Sequence, residues 1–269
     1  MSLSAPFLPI PRSVVAGRAA AIAKAAADAS GLGPVGELIS RLRVFSTCDV
    51  GDALIRLGDK RAGILHGINL RTPAATNGTS PKICGPAVTV RMSNYGGALG
   101  RAMKPMVEYN ERGKVMVIET PDGKAGKVSA CWGALESARA KVLRAEGVIV
   151  SGNMRQVSDC HKIGFPVFSR GTAMLGTRQF MRLAKINDRI SISGVDIHAG
   201  DIVLADEHGA VVVRRKRLQE VIDLCEYGAK HDKMVMEAIN KGATMREATQ
   251  HARMELGPHP LEIVGPHEP

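Results

Sequence analysis

Arg155 is the residue best placed to do chemistry. It stands just beyond a short apolar run, Val148-Ile149-Val150, closed by Ser151 and Gly152. Such a run bounded by small polar residues predicts a buried strand that ends in a polar loop. A guanidinium at that end can grip a carboxylate or phosphate with a two-pronged hydrogen bond. Upstream, the stretch Trp132-Gly133-Ala134-Leu135-Glu136 opens a segment in which Leu135, Ala138 and Val142 recur at helical spacing. The first amides of a helix have no intrahelical partner and suit an anion. Gly133, Ala134 and Leu135 are therefore candidate main-chain donors to the small anionic metabolite that Arg155 would hold, with Gln156 beside them. Glu136 is the nearest carboxylate, either a catalytic base or a first-turn acid that compensates the helix dipole. Cys160-His161 offers a thiol next to an imidazole, but neighbouring side chains on a strand or loop usually point apart.

The elements that must position these groups alternate. Strands are predicted near 87–92, 115–119, 147–151, 166–169, 202–205 and 210–213, with helices near 34–43, 98–109, 133–145 and 216–228. Asp49 and Asp52 bracket a helix start, where carboxylates accept backbone N–H groups. Pro121-Asp122-Gly123 is a turn signal, and Gly123 and Gly126 suggest a flexible loop able to fold over a ligand. The reading divides the chain into an N-terminal arm and helices (1–43, with a helix near 14–29), an α/β core (44–228), C-terminal helices (229–256) and a proline-rich disordered tail (257–269).

Several stretches in order, STCDVGDAL (46–54), GPAVTVRM (85–92), the segment from Trp132 to Asp159, GFPVFSRG (164–171) and GVDIHAGDIVLADEHGAVVV (194–213), resemble the RraA-like family. That family includes the 4-hydroxy-4-methyl-2-oxoglutarate / 4-carboxy-4-hydroxy-2-oxoadipate aldolases and the ribonuclease regulator RraA, and some members were formerly labelled demethylmenaquinone methyltransferases. The resemblance spans roughly residues 44–250. It implies a swivelling β/β/α domain with helical extensions at both ends, assembled as a homotrimer or homohexamer with pockets between subunits. It also implies a carbon–carbon lyase, of aldolase or decarboxylase type, acting on a small acidic 2-oxo or hydroxy acid, or else a non-catalytic regulatory protein. Aldolases of the family carry Asp-x20-Arg-Asp, in which the last Asp holds a divalent metal. Here Arg155 is kept, but Ala134 stands at the first Asp position and Gln156 at the second. A hard cation such as Mg2+ or Mn2+ favours anionic oxygen ligands, so both changes weaken the metal site. Asp159 matches a further acidic position of the pattern and is the remaining metal-ligand candidate.

Composition bounds the rest. The 269 residues are 45% hydrophobic but only 3% aromatic, which suits a small-aliphatic α/β interior and argues against an aromatic stacking platform for nucleic acid. A formal net charge of +10 favours acidic ligands. The densest basic run, Arg214-Arg215-Lys216-Arg217, reads as a solvated edge. Five widely spaced cysteines without CxxC pairs read as reduced thiols of a cytoplasmic protein. Residues 1–27 hold Arg12, Arg18 and Lys24 and no acid, a pattern that overlaps with organelle transit. By the same resemblance, His198 and His208 stand at positions where the family has turn residues. No apolar segment is long enough to span a membrane, and no GxGxxG follows a predicted strand and no GxxxxGK[ST] occurs, so nucleotide binding has no support.

Overall fold

The structure is a computed structural model, and it describes residues 34–72, 80–96 and 104–258. The expected arm, the helix near 14–29 and most of the tail lie outside the described residues. In chain order the elements are α1 (Pro34–Leu42), α2 (Thr47–Arg56), β1 (Asn69–Leu70), β2 (Ile83–Asn94), β3 (Val115–Glu119), α3 (Lys124–Val128), β4 (Ala130–Trp132), α4 (Ala134–Val142), β5 (Gly147–Met154), α5 (Val157–Ile163), β6 (Val167–Thr172), β7 (Met181–Ile186), β8 (Ile190–Ile192), β9 (Val195–Ile197), β10 (Ile202–Asp206), β11 (Gly209–Val213), α6 (Leu218–Asn240) and α7 (Met245–Leu256).

This is a mixed α/β fold around one strongly curved sheet, ordered β1-β6-β5-β3-β2-β10-β11. The central strands β2, β3, β5 and β6 run parallel, while β10 and β11 continue the sheet antiparallel. β2 is long enough to serve two neighbours along one edge. Its first residues pair with β10 and its last with β7.

Successive side chains of a strand point to opposite faces, and here both faces are covered. Val88, Val90, Met116, Ile118, Val148 and Val150 pack on one face, against Trp132, Ala140, Cys160 and Phe165. Ala87, Val115, Val117, Ile149 and Phe168 face the other way, into a core closed by Ile190, Ile192, Ile197, Val203 and Val212. That double burial explains why β3 and β5 read as uninterrupted apolar runs. A third cluster joins α1, α2 and α6 to the outer side of β10 and β11 through Leu42, Leu54, Leu204, Val213 and Ile222.

Three expectations change. The helix near 98–109 lies partly outside the described residues, and the rest is a single 3-10 turn, Met106–Tyr109. The segment 181–197, for which no strand was expected, forms β7, β8 and β9. The last long helix runs unbroken through residue 228, so the boundary expected there falls inside α6.

Candidate functional site

Arg155 follows β5 directly, and its backbone N–H donates to the Trp132 carbonyl at 2.9 Å, where β4 runs beside β5. The Trp132 indole returns to the same residue by another route. Nε1 donates to Ser137 Oγ at 2.9 Å, the Ser137 hydroxyl donates to Cys160 Sγ at 3.5 Å, and that thiol faces the Arg155 carbonyl at 3.7 Å. Both peptide groups of Arg155 are thus tied to Trp132, which is buried and stacked on Phe165 with ring centroids 6.1 Å apart. Each neutral bond adds only about 1 kcal/mol net, but leaving one of these buried groups without a partner costs about 1–3 kcal/mol. The ring therefore fixes where the guanidinium starts.

The half-buried Arg155 side chain passes Gly133 with its stem and Gly176 with its guanidinium. An added Cβ on Gly133 would meet Arg155 Cγ at 3.2 Å, and one on Gly176 would meet its Nη1 at 3.2 Å. Among the described residues it makes no hydrogen bond or ion pair. It lines an open cleft of about 450 Å³ with Gln156, Val157, Thr172, Ala173 and Met174.

The expected cradle of amides is largely taken up by the protein. The Gly133 N–H donates to Glu136 Oε2 at 3.0 Å, and the Ala134 N–H points at Gln156 Oε1 at 3.4 Å. Of the three amides proposed for a carboxylate, only Leu135 has no acceptor among the described residues. The structure thus brings together Arg155, Gly133, Ala134, Glu136 and Gln156, but Glu136 stands as a helix cap. Gln156 has left-handed backbone (φ 54, ψ 47) and opens α5, its carbonyl accepting from the Asp159 and Cys160 amides at 3.1 and 3.0 Å.

Asp159 is exposed and sits 3.6 Å from Lys162. Ala134 offers a methyl group, Gln156 a neutral oxygen already turned to an N–H, and Glu136 a carboxylate spent on a cap. This donor set does not fit a divalent cation, and among the described residues no group of three His, Cys, Asp or Glu is disposed to hold one.

Other candidates separate. Cys160 is buried against Ser137, while His161 Nε2 meets the Arg71 carbonyl at 2.9 Å, so the dipeptide is no catalytic pair. Burial pushes the Cys160 thiol up, with the Ser137 bond opposing. The loop around Gly123–Gly126 is not a free flap: residues 124–128 are helical, and Asn153 Nδ2 donates to the Gly126 and Lys127 carbonyls, both at 3.0 Å. Asp49 forms the reciprocal cap of α2 with Ser46. Arg214 is paired with Asp201 at 2.8 Å and Arg217 with Glu220 at 3.0 Å. Sequence reasoning missed Thr172, Met174 and Gly176, which show no periodicity, and the link from Ser137 to Cys160, which depends on how α4 packs on α5.

The RraA-like model, described as Aldolase/RraA, matches residues 47–212. The chain belongs to the RraA-like family. Among its relatives, an uncharacterized Methanocaldococcus jannaschii protein is 29% identical over 158 residues, covering 55% of this chain and 76% of that one. A Halalkalibacterium halodurans protein provisionally named 4-hydroxy-4-methyl-2-oxoglutarate aldolase is 28% identical over 204 residues, covering 76% and 89%. Among solved structures, Streptomyces coelicolor RraAS2, described as an unusual member of the RNase ES inhibitor RraA family, superposes with a TM-score of 0.61 at 24% identity, covering 77% of this chain and 97% of that one. The RraA-like match places β5, Arg155 and the whole cleft inside the family core. No helix among the described residues is long and apolar enough to cross a membrane.

Proposed function

We propose that this RraA-like protein is a carbon–carbon lyase for a small acidic 2-oxo acid, in its decarboxylase form. The single observation that carries the reading is Arg155, whose backbone is tied to Trp132 and whose guanidinium has no partner among the described residues, beside an open cleft. In a 3-carboxy-2-oxo acid, loss of CO2 leaves its electron pair on the former carbonyl as an enolate. Arg155 stabilises that oxygen with donors already in position. Protonation of the enolate carbon by water then completes the ketone. This route needs no base to start it, which suits a cleft whose nearest carboxylate, Glu136, accepts a backbone N–H. Retro-aldol cleavage would need Glu136 to leave its cap. The family's aldolase-named relatives support the reaction class.

A second reading, a binding or regulatory protein without turnover, is favoured by one observation: the Gly133 and Ala134 amides are already met by Glu136 and Gln156. Incubation of the pure protein with oxaloacetate and related aldol acids, with and without Mg2+ or Mn2+, separates the two. Pyruvate release above background supports the lyase, and thermal stabilisation by an acid without turnover supports the binder.

Met174, which lines the cleft, is 91% exposed, and Leu135, in the first turn of α4, is 80% exposed. We place these apolar side chains against a neighbouring subunit in a trimer or pair of trimers, which a solution mass measurement checks.

A further inference from the structure

We infer that the Arg155 cleft binds its carboxylate without a divalent cation, and that the Gln156 side-chain amide is a ligand-facing donor at the position where the family pattern has a metal-holding aspartate. This rests on the reading of the cleft as a 2-oxo acid site.

The orientation of the Gln156 amide follows from its neighbours. A backbone N–H can only donate, so the end of Gln156 that faces the Ala134 N–H is the oxygen. The positive end of α4 favours the same choice. The reverse orientation would set two donors against each other. With Oε1 turned to the helix, Nε2 and its two hydrogens point away from it. Gln156 and Arg155 are adjacent and line the same cleft, so both present N–H groups there.

A site built of donors selects for negative oxygen and against cations. The carboxylates nearby do not reverse this. Glu136 faces the Gly133 N–H, and Asp159 lies toward Lys162. Gln156 makes the helix end neutral-capped rather than open, and the ligand's carboxylate is gripped by side chains instead. Gly133 is what allows the close approach, because a Cβ there would stand 2.8 Å from Gln156 Oε1. The Leu135 amide remains as a main-chain donor to a second ligand oxygen.

The test is calorimetric titration of the full chain with oxamate, an unreactive isostere of a 2-oxo acid, in chelator and then in Mg2+ or Mn2+. Wild-type affinity is expected to agree within about twofold between the two conditions. Gln156→Leu, which keeps the bulk but removes the amide, is expected to bind about tenfold more weakly, the scale of one good hydrogen bond. The double variant Ala134→Asp, Gln156→Asp is expected to gain a cation-dependent heat that the wild type lacks. A wild type that binds oxamate only with metal, or not at all, overturns the inference. So does a Gln156→Leu protein with unchanged affinity, whatever its melting temperature. Oxaloacetate turnover that requires Mg2+ would defeat this inference and leave the lyase reading standing. Metal-independent oxamate binding without turnover would do the opposite.

Discussion

The Nη1 nitrogen of Arg155 lies 3.2 Å from the point that a Cβ on Gly176 would occupy. Gly176 has no positive φ, so its backbone accepts alanine, and the only thing displaced is the tip of a flexible side chain. Gly176→Ala is expected to leave stability within about 0.5 kcal/mol while weakening oxamate binding several-fold. Paired urea melts and titrations check this, and equal binding would show that the guanidinium is not used where it lies.

The ring from Trp132 through Ser137 and Cys160 to Arg155 gives a second expectation. Ser137→Ala leaves the buried indole N–H without an acceptor, at a cost of about 1–3 kcal/mol. Trp132 is the only tryptophan in the chain, so its emission reports the site directly. The expected result is a lower denaturation midpoint together with a shifted native emission maximum.

Far from the cleft, Asp206 is a buried carboxylate whose Oδ2 accepts the Thr47 N–H at 2.8 Å and whose Oδ1 accepts the Thr47 hydroxyl at 2.7 Å and the His208 N–H at 3.0 Å. It ties the start of α2 to the β10–β11 turn. Asp206→Ala leaves three donors unmet and is expected to lose about 3 kcal/mol in urea unfolding, with the cleft intact.

The thiols give a pH expectation. Burial pushes Cys84, Cys131 and Cys225 from the ordinary 9.0 up to about 12. A group whose folded pKa is raised contributes stability that is complete below its unfolded value and is lost as pH rises through the folded one. Stability is therefore expected to decline between about pH 9 and pH 12. Cys48 alone is exposed, so a disulfide reagent should label one thiol in the native protein and five after unfolding. Burial and the Asp206, Asp49 and Asp52 carboxylates raise Cys48 as well, so this labelling should be slow at neutral pH.

Much of this was legible before any coordinates. β3 and β5 were visible because burial on both faces leaves no polar alternation, and α4 was visible from Leu135, Ala138 and Val142, although Leu135 and Val142 turn out to be exposed. The losses at Ala134 and Gln156 were visible because they are changes of residue type. What stayed hidden depends on backbone angles and packing. The sequence carries no sign that Gln156 takes φ 54 and turns its amide onto Ala134. β7 to β9 escaped because they are short or only partly buried.

The most direct test of the account is the rate of pyruvate formation from oxaloacetate in the presence of a chelator, for the wild type and for Arg155→Ala. The account predicts a wild-type rate clearly above the uncatalysed background and a fall of about a hundredfold or more in the variant, as expected for removal of a preorganised oxyanion donor. A wild-type rate equal to background, or a variant as fast as the wild type, would contradict it.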